Sequence, residues 1–302
     1  MYSFPLFWTG LVVFSILLII FIRLKTIKIP YHTFTQNEGP MVIAHRGGRG
    51  LWPENTLMAF HNAVKLGVDA LELDIQRTKD GVFVVIHDHT LDRTTNGSGR
   101  VDSYTLAEIQ QFDAGYRWTN DGGKTFPFRG QGVIIPTMED VFKQFPDMRL
   151  NIEVKERTPE SANALCNLVE KYRAANRVMI GSFYTRVVVR SRTVCPSIAT
   201  SAGRAEVKKF FVLQLLGLSR FYSLPVHALE VPEFSGEMRV VSKRFIKAAV
   251  KRQRLPVYVW TVNEVDKMKE LLDLGVKGII SDFPDRAMEV VKNFKNEVPA
   301  HG

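Results

Sequence analysis

The feature that most limits how this chain can fold is a repeated alternation of short β-rich runs with longer helical patterns, beginning at residue 41. The strand candidates are MVIAH (41–45), ALELDI (70–75), RLNIEV (149–154) and RVMIGS (177–182), followed by SIATS (197–201), HALEV (227–231), PVYVW (256–260) and KGIIS (277–281). Helical periodicity lies between them at 56–66, 160–174, 241–253 and 264–274, the last stopped by Gly275, a residue free to adopt the left-handed turn that ends a helix. Eight β/α units within about 260 residues are the arithmetic of a closed parallel barrel. The expected fold class is therefore α/β, a (β/α)8 TIM barrel. One interval is too long for a simple crossover. After the second strand, VFVVIHD (82–88) supplies an extra strand and a Gly-rich polar stretch runs on to Pro136. It reads as a small insertion near the barrel mouth.

Ahead of the barrel, residues 1–22 contain no charged side chain, and 6–22 (LFWTGLVVFSILLIIFI) are almost wholly apolar. At about 1.5 Å per residue such a helix, with its flanks, crosses a hydrocarbon layer of about 30 Å. A cleaved signal peptide fits less well, because the segment has no basic leading region and no small-residue cleavage pattern after it. Arg23, Lys25 and Lys28 follow the span, which by the positive-inside rule places the barrel in the cytoplasm. The expected organisation is a transmembrane anchor at 1–22, a juxtamembrane linker at 23–40, the barrel at 41–295 with its insertion at about 82–136, and a tail at 296–302. The expected localisation is a single-pass membrane protein.

Composition decides less. With 45% hydrophobic residues the chain is neither disordered nor collagen-like. A net charge of +9, from 40 Lys and Arg against 31 Asp and Glu, favours anionic partners without choosing among phosphate substrates, nucleic acid and an acidic membrane. The two cysteines, Cys166 and Cys195, have no zinc spacing and reveal no disulfide framework, which suits a reducing compartment.

In a barrel of this type the chemistry gathers at the carboxyl ends of the strands. Those ends here carry His45 and Arg46, Glu72 and Asp74, Glu153 and Lys155, and later Trp260 and Asp282. Strand side chains alternate between faces, so Glu72 and Asp74 point the same way, as do Glu153 and Lys155. Three carboxylates converging on one mouth repel unless a cation joins them, and all-oxygen ligation suits Mg²⁺ or Ca²⁺. The plainer account, strand-end carboxylates paired with Arg46 and Lys155, serves for one pair better than for the whole set. His45 and His87 end the first strand and the extra strand, so one neutral and one protonated imidazole can act as base and acid. Asp88 and His89 follow His87 and either orient it or form a plain turn. His32, His61 and His301 receive no role.

These residues, taken in order, resemble the glycerophosphodiester phosphodiesterase family. The resemblance rests on HRG (45–47), PENT (53–56), E-x-D at 72–74, HD-x-x-L-x-R at 87–93, E-x-K at 153–155, WTVN (260–263) and D-x-P at 282–284. It covers residues 41 to about 290. It implies catalytic roles for His45 and His87, metal ligation by Glu72, Asp74 and Glu153, and phosphate contacts from Arg46 and Lys155. Glu54 and Asn55 match a supporting loop. Trp260 either borders the substrate or packs in the core. The implied reaction is metal-dependent hydrolysis of glycerophosphodiesters to an alcohol and glycerol 3-phosphate. Its order of proton transfers, with a cyclic phosphate as a conceivable intermediate, is not fixed by sequence.

Two substrate classes remain open, water-soluble glycerophosphodiesters and lysophospholipids. The second is the reaction of a lysophospholipase D, giving lysophosphatidic acid. It draws on the anchor and on the run 210–224, whose apolar middle is flanked by Lys208, Lys209 and Arg220 and reads either as an interfacial helix or as the fifth barrel helix. A catalytically silent, membrane-tethered phospholipid-binding protein is the alternative, although no expected ligand or histidine is missing. Nucleic-acid binding is disfavoured because the basic residues are scattered. A barrel aldolase or amidohydrolase would leave His45 and His87 without a shared task.

Overall fold

Eight parallel strands curl into one sheet in the computed structural model, which describes residues 4–23 and 31–297. They are β1 (Met41–Ala44), β2 (Ala70–Arg77), β3 (Arg149–Val154), β4 (Val178–Gly181), β5 (Ala199–Thr200), β6 (Leu229–Pro232), β7 (Val257–Trp260) and β8 (Gly278–Ser281). All eight expected strands are present, in the spatial order β5-β4-β3-β2-β1-β8-β7-β6. The two ends of that order meet in a parallel bridge between Ser201 and Ala228. There the amide of His227 donates to the Thr200 carbonyl at 2.8 Å and that of Ala202 to the Ala228 carbonyl at 3.1 Å. The result is a TIM-like barrel with a thin seam beside β5.

Besides a single helical turn at Leu106–Ile109 in the insertion, the helices are α1 (Phe4–Arg23), α2 (Leu57–Leu66), α3 (Met138–Gln144), α4 (Glu160–Lys171), α5 (Thr185–Val194), α6 (Arg204–Leu215), α7 (Lys243–Ile246), α8 (Val265–Leu274) and α9 (Pro284–Glu297). Local chemistry sets their limits. The Thr56 hydroxyl accepts the Ala59 amide to start α2, and Gly67 ends it at φ 84°. Gly275 ends α8 in the same left-handed way, at φ 97°, where any other residue is strained. The single helix expected over 241–253 is instead α7 followed by a π-helical turn, Lys247–Arg252.

One set of strand side chains packs outward against the helices, and a second fills the lumen with Met41, Ile43, Ala70, Met179, Ala199, Ala228 and Tyr258. Several of these are alanines at strand starts, which leaves room at the amino-terminal end. Phe34 fills that room and is fully buried, a burial that contributes about 1.5 to 3 kcal/mol. It sits in a short turn, Thr33–Thr35, capped by His32, whose Nδ1 accepts the Phe34 amide at 3.1 Å. Part of the stretch 23–40, read from sequence as a linker, thus plugs the barrel.

Two further differences, a hairpin and a disulfide, concern segments without a local signature, whereas the extra strand expected over 82–88 is present in part. A strand at Phe83–Val85 pairs antiparallel with β2, and beyond it Val84, Ile86, Leu91, Val101, Ile109 and Ile135 form a small core of their own. A hairpin, Phe234–Ser235 with Met238–Arg239, follows β6. Cys166 and Cys195 are paired as a disulfide, their Cα atoms 5.9 Å apart. That corrects the sequence reading, which found no disulfide framework and took the cysteines to suit a reducing compartment; α4 and α5 pack side by side and bring distant positions together.

The span expected over 1–22 falls only partly among the described residues, and the side chains described in α1 are those of 8–17. Among the described residues no helix is long and apolar enough to cross a membrane. The run 210–224 divides by face. Phe210 is fully buried against Phe245, as a barrel helix requires, whereas Val212, Leu215, Leu216 and Leu218 are exposed.

Candidate active site

Asp74, near the end of β2, gathers the largest number of partners. Lys155 Nζ lies 2.9 Å from its Oδ1, Arg46 Nε 3.2 Å from its Oδ2, and Asn55 Nδ2 donates to Oδ2 at 2.9 Å. Burial pushes the Asp74 carboxyl up, but Lys155 and Arg46 outweigh it and hold the group below its ordinary value. Glu153, from the adjoining β3, takes the other side of Lys155 at 2.8 Å. Glu72 has no ammonium against it. Its Oε2 accepts the Arg46 backbone amide at 2.8 Å, and burial together with the Asp74 charge raises its pKa well above the usual range.

The strand register dictates this convergence. Asp74 pairs with Glu153 and Glu72 with Asn151 across β2 and β3, so the three carboxylates share one face with the period-two spacing of a strand. Their nearest ligand atoms lie within 4.8 Å of one another. Glu153 Oε1 is buried with no hydrogen-bond partner, and Asp74 Oδ1 has none besides the Lys155 ammonium. Three buried carboxylates stand against two cations, Arg46 and Lys155, and the upward shifts of Glu72 and Glu153 show that the cations do not compensate all three acids when ionised. Such a donor set of oxygens alone fits a hard divalent cation.

Both predicted histidines stand at this mouth, and each has a carboxylate behind it. His45 Nδ1 lies 2.6 Å from Asp282 Oδ1, with its Nε2 facing Glu72 at 4.0 Å. His87 Nδ1 lies 2.6 Å from Asp88 Oδ1. Burial, reinforced by the charges of Lys155 and Arg46, lowers the His87 pKa although Asp74 and Asp88 pull the other way. Asp88 therefore orients His87. His89 instead turns to Gln76 Oε1 at 2.6 Å.

Arg46 and Asn55 occupy left-handed backbone conformations, φ 51° and 58°, strained for residues other than glycine. The turn is held by the Asn55 amide donating to the Arg46 carbonyl at 2.9 Å and by Arg46 Nη1 donating to Glu54 Oε1 at 2.8 Å. Glu54 also receives two hydrogen bonds from Arg93, at 2.7 and 2.8 Å, and Arg93 Nε donates to Asp88 at 2.6 Å. One chain of ion pairs thus links His87 through Asp88, Arg93, Glu54 and Arg46 to Asp74. Trp260, at the end of β7, is half-buried and meets Phe183 edge-on at 5.8 Å, close to Lys155.

Sequence reasoning left out four participants. Asp282 stood among the strand-end residues but had no partner assigned. Asn263, which holds Asp282 Oδ2 at 2.9 Å, and Arg93 were visible only as letters within longer motifs. Glu230 on β6 had no signal. It accepts a hydrogen bond from Asn151, and burial pushes its carboxyl up to about 7. Gly181 gives it space, since a Cβ there would lie 3.1 Å from Glu230 Oε2.

The glycerophosphoryl diester phosphodiesterase family model matches residues 45–286. A glycerophosphodiester phosphodiesterase of Caldanaerobacter subterraneus is 33% identical over 257 residues, covering 83% of this chain and 98% of that protein. Human lysophospholipase D GDPD1 is 26% identical over 276 residues, covering 83% and 86%. Among solved structures, the glycerophosphoryl diester phosphodiesterase domain of an uncharacterized Mycobacterium tuberculosis protein superposes with a TM-score of 0.73 at 24% identity, covering 83% of this chain and 99% of that domain.

The ion-pair chain has a stability consequence through its buried member, Glu54. Arg93 and Arg46 hold the Glu54 carboxyl far below its ordinary value against the opposing effect of burial. A depressed folded-state pKa contributes stability that is complete above the unfolded-state value and lost as pH falls through the folded one. Glu54→Gln is expected to cost about 3 kcal/mol at neutral pH, read by urea denaturation, with the gap to the parent closing in strong acid. Equal stability of the two proteins at neutral pH contradicts this account of the turn.

Proposed function

The chain belongs to the glycerophosphoryl diester phosphodiesterase family, whose members are phosphoric diester hydrolases, and from that premise we propose that it hydrolyses water-soluble glycerophosphodiesters to an alcohol and glycerol 3-phosphate. The observation that supports this reading most directly is the pair of histidines, each fixed by a carboxylate at 2.6 Å, standing over one cluster of buried acids. An aldolase or amidohydrolase has no use for two such dyads.

In this reading Asp282 and Asp88 accept from the Nδ1 atoms of His45 and His87, which leaves each Nε2 free to face the substrate. The lowered pKa of His87 keeps its neutral form populated at neutral pH, the state needed to take a proton from an attacking hydroxyl. The partner imidazole delivers a proton to the leaving alcohol, and the two exchange roles if a cyclic phosphate forms and opens. Arg46 and Lys155 oppose the charge that builds on the phosphate oxygens. Glu72, Asp74 and Glu153 would hold a divalent cation, Mg²⁺ or Ca²⁺, whose chemistry is to neutralise phosphate oxygens. Glu54 and Asn55 keep Arg46 and Asp74 in place, and Trp260 borders the substrate.

A second reading, hydrolysis of lysophospholipids to lysophosphatidic acid, draws on the human relative named lysophospholipase D and on the exposed Val212, Leu215 and Leu216. The full chain in detergent, given glycerophosphocholine and lysophosphatidylcholine in parallel, separates the two by its phosphorus-containing product. We expect glycerol 3-phosphate from the first, with turnover lost in His45→Ala and His87→Ala while the fold persists. Turnover confined to lysophosphatidylcholine overturns the preferred substrate, and near-parental activity in either variant removes that histidine from the mechanism.

We further infer that α1 tethers the chain to a membrane. Support comes from the uncharged stretch 1–22 and from the exposure of Leu11, Phe14 and Leu17, a contiguous apolar surface that water does not tolerate alone. Alkaline carbonate extraction of membranes carrying the full chain is expected to leave it in the pellet. Release into the supernatant contradicts the tether.

A further inference from the structure

On the flank of the barrel remote from the histidines, a cavity of about 160 Å³ lies between the end of α6 and the α7 region. Its lining includes Arg220, Arg244, Lys247 and Arg252, together with Gln214, and no carboxylate. Among the described residues none of the four cations is within ion-pair distance of an acid. Arg244 Nη2 donates to the Leu215 carbonyl at 2.8 Å and Arg220 stacks over Phe221 at 4.5 Å, so two of them are held in position without being neutralised. Gln214 is 2% exposed, yet its Oε1 has no hydrogen-bond partner. A buried acceptor left unpaired costs about 1 to 3 kcal/mol, and here it belongs to the lining of a cationic cavity.

The surroundings identify the kind of ligand. Val212, Leu215, Leu216 and Leu218, exposed by 38% to 65%, lie beside the cavity in sequence and on the same helix end. The segment Ser219–Phe221, which supplies Arg220, is also where α1 contacts the barrel. An apolar surface rimmed by unpaired cations matches the boundary of a bilayer, where acyl chains meet anionic headgroups. The position matters as much as the composition. The chain leaves β5 through α6 and returns to the start of β6, so the end of α6 lies at the amino-terminal end of the barrel, the end plugged by Phe34. The catalytic mouth is at the other end, so this patch is placed for docking and not for feeding lipid to the histidines.

We propose that Arg220, Arg244, Lys247, Arg252 and Gln214 form a site for the headgroup of an anionic, hydroxylated phospholipid, and that the adjoining leucines seat the barrel on the membrane with its mouth facing water. The phosphate meets the cations, and a headgroup hydroxyl donates to Gln214 Oε1. No covalent step is involved. The proposal goes beyond the hydrolase reading and does not depend on it.

The test uses the full chain in detergent with dioctanoyl phosphatidylglycerol, dioctanoyl phosphatidylcholine and inorganic phosphate as separate probes. The phosphatidylglycerol is expected to bind in a salt-sensitive manner, and Arg220→Gln/Lys247→Gln/Arg252→Gln is expected to weaken it about tenfold or more. Turnover of glycerophosphocholine, whose machinery lies at the opposite end, stays at the parental level and reports that the variant is folded. A charge-keeping variant, Arg220→Lys/Arg252→Lys, keeps most of the binding. If the Gln variant fails to fold, hydrogen exchange of the parent decides. Protection of 204–224 and 243–252 in nanodiscs containing phosphatidylglycerol over those of phosphatidylcholine alone supports the site, and equal exchange in both overturns it. Unchanged binding in a folded Gln variant, equal affinity for phosphatidylcholine, or inorganic phosphate binding as tightly as the lipid each contradict the proposal.

Discussion

The arrangement of the mouth depends on the buried charge of Asp74. Taken out of water, an ionised carboxylate is costly unless charged and hydrogen-bonded partners replace its hydration. Arg46, Lys155 and Asn55 supply that replacement from three different elements, at 2.9 to 3.2 Å. Each partner is thereby fixed relative to the others. Lys155 is drawn between Asp74 and Glu153, and Arg46 is drawn into a left-handed turn that its side-chain bonds sustain. Two cations cannot compensate three ionised acids, and this shortfall, together with the convergence of their oxygens, is the strongest physical reason to expect a divalent cation in the mouth.

The same network reaches outward to the histidines by two unequal routes. His87 joins it through Asp88, Arg93 and Glu54, a chain of close ion pairs in which Glu54 is largely buried. His45 is held by Asp282, which leans on Asn263, with Arg49 at 3.6 Å. The two imidazoles therefore stand in different surroundings while facing one cluster of acids. That is the asymmetry an acid and a base working on one phosphoester require. At the opposite end of the barrel the chemistry changes character, from paired charges inside a mouth to unpaired cations beside exposed leucines.

Much of this was legible in the sequence because it obeys local periodicity. The strands MVIA, RLNIEV and GIIS stand where the alternation put them, and the period of two placed Glu72 with Asp74 and Glu153 with Lys155. What escaped depends on contacts between distant positions. Asp282 lies 237 residues from the histidine it orients, and no spacing rule links them. Glu230 is silent in sequence, since its role arises from Gly181 leaving space on a neighbouring strand. Phe34 plugs the lumen from a stretch whose composition reads as linker, because the small strand-start alanines that admit it belong to β2, β5 and the turn before β6. Cys166 and Cys195 meet only because two helices pack side by side.

The most direct test of the central claim follows phosphorus-31 resonance during turnover of glycerophosphocholine by the full chain, with divalent cation present, removed by chelator and restored. The account predicts that the diester signal is replaced by that of glycerol 3-phosphate, that chelation stops the conversion, and that Mg²⁺ or Ca²⁺ restores it in the parent and not in Glu153→Gln. Conversion that continues undiminished in chelator, or a diester signal that never changes, contradicts it.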